Sequence, residues 1–130
     1  MTIIVAYAPR PEGQAALAKG IEIASRRNEH LLVVNATPGS GDDAAMASVQ
    51  DVERIEGLLS EPGLHAEFKQ YGRGKGAVAE ITELIETLPV SLLIIGLRKR
   101  SPVGKLILGS VAQELLLSVP CPVLAVKAGS

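Results

Sequence analysis

The sequence predicts an α/β fold: a single domain over residues 1–130, doubly wound and Rossmann-like, with a five-stranded parallel sheet in strand order 3-2-1-4-5 and helices on both faces. Three observations point to it. Short unbroken runs of Ile, Leu and Val recur along the chain, as strands covered on both faces require. Segments with apolar residues at helical spacing lie between those runs. At 130 residues and 47% hydrophobic composition, the chain is long enough for one proper core and too short for two ordinary domains.

The first strand is the Ile- and Val-rich run Thr2–Ala6, followed by Pro9-Arg10-Pro11, where a proline suits the first turn of a helix. From about Gln14, Leu17, Ile21 and Ala24 recur at helical intervals until the charged stop RRNE at 26–29. The second strand, HLLVVNA, is continuously apolar through Val34. TPGSGDD at 37–43 is the most turn-like stretch and is expected to be the most mobile. Val49, Val52, Ile55 and Leu59 mark one face of a second helix, which Pro62-Gly63 breaks.

A third strand covers 65–71. After the glycine-rich turn GRGKG at 72–76, Val78, Ile81, Ile85 and Leu88 form one helical stripe that Pro89 ends. The fourth strand is expected at 92–95, then a turn at Gly96 and a loop carrying Arg98, Lys99, Arg100 and Lys105. Ser110 with Gln113 reads as a capping box opening the fourth helix. Pro120 and Pro122 bracket Cys121, and 123–126 makes the last strand. The alternation calls for a mostly parallel sheet with right-handed crossovers. The likeness of IIVAY, LLVV and LLII follows from burial and is no internal repeat.

Composition excludes several functions. Lys+Arg 13 against Asp+Glu 14 leaves a net charge of -1, so no general pull toward nucleic acid or an anionic membrane is expected, and any anion site must be local. Tyr7, Phe68 and Tyr71 are the only aromatic residues, too few for a stacking platform on single-stranded nucleic acid. Cys121 stands alone, which removes an internal disulfide and a cysteine-based zinc site. The first apolar run is too short for a signal or a membrane span, so the cytoplasm is the expected location. His30 and His65 are far apart in sequence and far from Cys121, giving no support to a metal site or a catalytic dyad. No catalytic group stands out, and the chain is expected not to be an enzyme.

In sheets of this kind ligands lie outside the carboxyl ends of strands at the switch in strand order, here strands one and four. That places 7–9 beside Gly96. A loop leaving a parallel strand and feeding a helix N-terminus collects free N–H groups and the positive end of the helix dipole, which suits phosphate. Taken singly, Gly96 is a strand-ending turn, Gly109 a helix opening and Ser110 an N-cap. Their joint spacing, with four cations between, favours a phosphate site. Gly72, Gly74 and Ala77 match a dinucleotide fingerprint only weakly, because the next strand ends without an acid. A turn flanking the cleft fits them better, with Arg73 and Lys75 solvated.

The stretch 91–118 and the tail PCPVLAVK at 120–127 resemble the C-terminal signature of the universal stress protein family. That signature runs Gly, two residues, Gly, nine residues, Gly, then Ser or Thr. Gly96, Gly109 and Ser110 match it, and Lys99 replaces the second glycine. The resemblance spans nearly the whole chain. It implies a stress-response protein that binds and regulates, with Gly96, Lys99, Gly109, Ser110 and Val111 around phosphates and ribose; Ala36 matches a small apolar position lining the adenine pocket, and simple packing is the safer reading of it. Nucleotide-binding members carry an aspartate at the end of strand one that contacts adenine, and the matching residue here is Ala8. With Lys99 in place of a close-approach glycine, this points to the branch that does not bind ATP. A working ATP- or AMP-binding module is the alternative, and a hydrolase or flavin-binding protein has only the architecture behind it. No cofactor is required; ATP, AMP, phosphate and sulfate are the ligands the cleft suggests. Lys99 either fills the pocket or swings outward and donates charge. The final strand should lie at a sheet edge, an aggregation liability unless paired. The family resemblance implies an antiparallel homodimer there, through Val123, Leu124, Ala125 and Val126.

Overall fold

The Ile, Leu and Val runs form strands β1 (Thr2–Ala6), β2 (His30–Ala36) and β4 (Val90–Arg100), and the alternating segment AEFKQY forms β3 (Ala66–Tyr71). A three-residue strand β5 (Lys105–Ile107) and the last strand β6 (Val123–Lys127) follow. Between them lie helices α1 (Pro11–Arg27), α2 (Val49–Leu59), α3 (Gly76–Thr87) and α4 (Ser110–Ser118). The computed structural model describes residues 1–37, 46–72, 75–100 and 105–128, without the side chains of 99, 100 and 105–107. Most of the turn-like segment at 37–43, together with 73–74 of the glycine-rich turn, therefore lies outside the described residues.

The parallel sheet runs β3-β2-β1-β4-β6, which is the predicted 3-2-1-4-5 with β6 as its fifth parallel strand. Val5 stands opposite Val33 on one side and Ile94 on the other, so β1 and β4 flank the point where the winding reverses. Strand alternation sends successive side chains to opposite faces. Ile3, Val5, Leu31, Val33 and Ile94 pack with Leu17 of α1 and Ile55 of α2. Ile4, Leu32, Val34, Leu93 and Ile95 pack with Ile81 of α3 and Leu115 of α4. Both faces of the central strands are covered, which is why β1, β2 and the 92–95 part of β4 read as unbroken apolar runs.

Two local expectations are corrected. Gly96 is no turn: it pairs with Val126 inside the sheet, and β4 continues to Arg100. Beyond the end of β1 that continuation pairs antiparallel with β5, Arg98 opposite Ile107 and Arg100 opposite Lys105. The predicted cationic loop is thus largely a two-stranded arm, because β5 supplies partners for backbone groups that β1 no longer reaches.

The capping box at Ser110 does not form either. Gly109 takes extended dihedrals (φ -63, ψ 163) and is itself the N-cap, with no side-chain cap bond. Its carbonyl accepts from the Gln113 amide at 2.8 Å, so Ser110 is already inside the helix. The other helix ends follow their sequence signals. Pro11 opens α1, Asn28 closes it in the left-handed region (φ 55), and the Asp51 amide donates to Ser48 Oγ at 3.1 Å at the start of α2. Among the described residues no helix is long and apolar enough to cross a membrane.

Candidate functional site

At the carboxyl ends of β1 and β4 the sheet is flanked by α1 on one face and α4 on the other. A cleft of about 290 Å³ opens between them. Ala36, Ala77, Ile81 and Leu115 form part of its apolar wall, and Ala8 stands at the end of β1. Gly96, Gly109, Ser110 and Val111 all line the same cavity.

Close backbone approach shapes one side. A Cβ at Gly96 would stand 2.6 Å from the Glu12 carbonyl carbon, and one at Gly13 would overlap the Ala8 carbonyl. The first turn of α1 therefore lies directly on β4 and on the β1 exit, which a side chain at either glycine would prevent. That approach brings Arg10 and Glu12 to the rim.

The opposite side is the start of α4. First-turn amides of a helix have no intrahelical acceptor, and the N-cap Gly109 has no side chain to cap them, so residues 110–112 turn donors and the positive end of the dipole toward the cleft. Arg98 lies between the two sides. Its Nε is 3.4 Å from Glu12 Oε2, and its Nη2 stands 3.9 Å from where a Gly109 Cβ would be. The Lys99 backbone pairs with Leu106, and its side chain falls outside the described set.

A polar network that sequence reasoning missed ties the β1 exit to α1, α2 and β2. The Tyr7 hydroxyl donates to Asp51 Oδ2 at 2.7 Å and accepts from Gln14 Nε2 at 2.7 Å. Arg54 Nη2 donates to Asp51 Oδ1 at 2.7 Å and to Gln14 Oε1 at 2.8 Å. Burial and the Asp51 carboxylate push the Tyr7 phenol well above its ordinary value. Burial pushes Asp51 up, but hydrogen bonds from Tyr7 and Arg54 outweigh it and hold the carboxyl below its usual range. Below this, buried Asn35 donates from Nδ2 to the Tyr7 carbonyl at 3.0 Å, and its Oδ1 accepts from the Ala47 amide at 2.8 Å. The available signal was a single amide, Asn35, at the end of an otherwise apolar strand.

Other expected residues fall as follows. Ala77 lines the cleft, but Lys75 is no bare solvated cation: it pairs with Glu83 and lies 3.7 Å from Glu80 Oε1. His30 and His65, distant in sequence, open neighbouring strands, where the Leu31 amide donates to the His65 carbonyl at 2.8 Å. This is the amino end of the sheet, away from the cleft. Cys121 is half-buried against the α3 and α4 core, and burial pushes its thiol up. Among the described residues no group of three or more His, Cys, Asp or Glu gathers to hold a metal ion. β6 pairs with β4 on one side, and Leu124 in it is 36% exposed.

Residues 1–127 match the universal stress protein family. A universal stress protein of Mycolicibacterium smegmatis is 47% identical over 126 residues, covering 96% of each chain. Among solved structures, a universal stress protein from Archaeoglobus fulgidus superposes with a TM-score of 0.77 at 27% identity, covering 97% of both chains. One from the same organism in complex with dAMP gives 0.71 at 20% identity, covering 97% of this chain and 96% of the other.

Proposed function

The chain belongs to the universal stress protein family, and on that footing we propose that it is a homodimeric regulatory protein that binds a nucleotide-type phosphate in the cleft between β1 and β4 without turning it over. The observation that carries this is the meeting of Gly96, Gly109, Ser110 and Val111 on one cavity into which the first turn of α4 opens. First-turn amides and the dipole favour phosphate oxygens there. Ala36, Val34 and Ala77 offer an apolar wall to a base. Lys99 belongs to the proposed phosphate residues by its place in the sequence. The dAMP held by the Archaeoglobus fulgidus relative supports a nucleotide as the ligand class.

Adenine recognition is the weak point of this proposal, for AMP and ATP alike, since Ala8 has no polar side chain to contact the base. The dimer forms through Val123, Leu124, Ala125 and Val126, an assignment supported by the exposed apolar side chain of Leu124 on β6. No further cofactor is needed.

Thermal unfolding with adenosine, AMP, ADP, ATP or inorganic phosphate tests the ligand. AMP at about 100 times its Kd is expected to stabilise the fold by about 2.7 kcal/mol, roughly 10 °C in Tm for a chain this size. A melting temperature unmoved by every one of these at saturating supply overturns the assignment.

A further inference from the structure

Taking the cleft as a nucleotide-type phosphate site, as proposed above, we further propose that the Glu12–Arg98 ion pair limits the negative charge it accepts, so that nucleoside monophosphates bind in preference to triphosphates. Among the described residues three charged side chains line the cleft, Arg10, Glu12 and Arg98. Glu12 is the anion among them, and its position is tightly set. Its Cβ lies 2.8 Å from where a Gly96 Cβ would be, so the helix backbone that carries it rests on the strand.

Arg98 lies two residues beyond Gly96 on the same face of β4, which strand alternation aims toward α1. Its guanidinium then spans from the Glu12 carboxylate, at 3.4 Å, to the neighbourhood of Gly109 at the start of α4. A phosphate seated on the α4 amides meets the Nη2 side of that guanidinium, near Gly109. Behind it stands a carboxylate that is only 14% exposed, where solvent screens it poorly. One phosphate draws on the amides, the shared guanidinium and Arg10. Each further phosphate brings charge toward Glu12 and competes with it for Arg98.

The decisive variant is Glu12→Gln, which keeps shape and removes charge. Titration calorimetry with adenosine, AMP and ATP is expected to show wild type binding AMP about tenfold more tightly than ATP. In Glu12→Gln, ATP affinity should rise about tenfold, AMP affinity less, and adenosine affinity not at all, with the gap to wild type closing as salt is raised. An unchanged AMP-to-ATP ratio in a variant that still binds both overturns the ion-pair assignment and leaves the nucleotide site standing. Failure of both proteins to bind any of the three removes the nucleotide site, and the inference with it.

Discussion

A methyl group at position 96 would meet the backbone of Glu12, its nearest contacts including the carbonyl carbon at 2.6 Å, and backbone cannot rotate away as a side chain can. Gly96→Ala is therefore expected to cost about 2–4 kcal/mol, read from urea unfolding, as α1 is forced off the sheet. Gly109 belongs to the same sequence signature but has a different physical role. A Cβ there would approach only Arg98 Nη2, at 3.9 Å, so Gly109→Ala should cost under about 1 kcal/mol, the ordinary loss at an N-cap. Spacing in the sequence marked both glycines without separating these roles, because the atom that Gly96 must avoid belongs to a residue 84 positions away in the chain.

At the scale of elements, α2 is fastened to the β1 exit through Asp51, which holds the Tyr7 hydroxyl and the Arg54 guanidinium together. Asp51→Asn is expected to cost about 1.5 kcal/mol at neutral pH, the range for hydrogen bonds to a charged partner. The pH dependence has a defined sign. A carboxyl held below its usual value contributes stability above the unfolded-state pKa, about 3.9, that is lost as pH falls through the folded one. The acid limb of stability against pH should then be shallower in Asp51→Asn. Tyr7 acts at the other end: a raised phenol makes stability fall as pH climbs past about 10, and Tyr7→Phe should flatten that limb. The extents of α1, α2 and α3 were legible from Pro11, the stripe beginning at Val49, Pro62 and Pro89, whose effects are local. The length of β4 was not, since a strand continues past a glycine only if a partner waits beyond it, and β5 is that partner.

For the whole molecule, the proposed dimer is tested at the β6 edge. Leu124→Arg places a charge in the proposed seam, and sedimentation velocity is expected to show dimer for the wild type and mainly monomer for the variant. The isolated fold should change by no more than about 0.5 kcal/mol, since Leu124 is 36% exposed within one chain. A monomeric wild type overturns the assignment.

Parallel order and helices on both faces were determined by the sequence itself, because unbroken apolar runs alternating with helical stripes can be buried in few other ways. Tertiary structure alone decided the long-range contacts in and beside the cleft. The approach of Glu12 to Gly96, the ion pair with Arg98 and the junction of Tyr7, Asp51 and Asn35 each join residues with no local relation. Local periodicity encodes which face a residue takes, and only packing of the finished sheet and helices sets which faces meet.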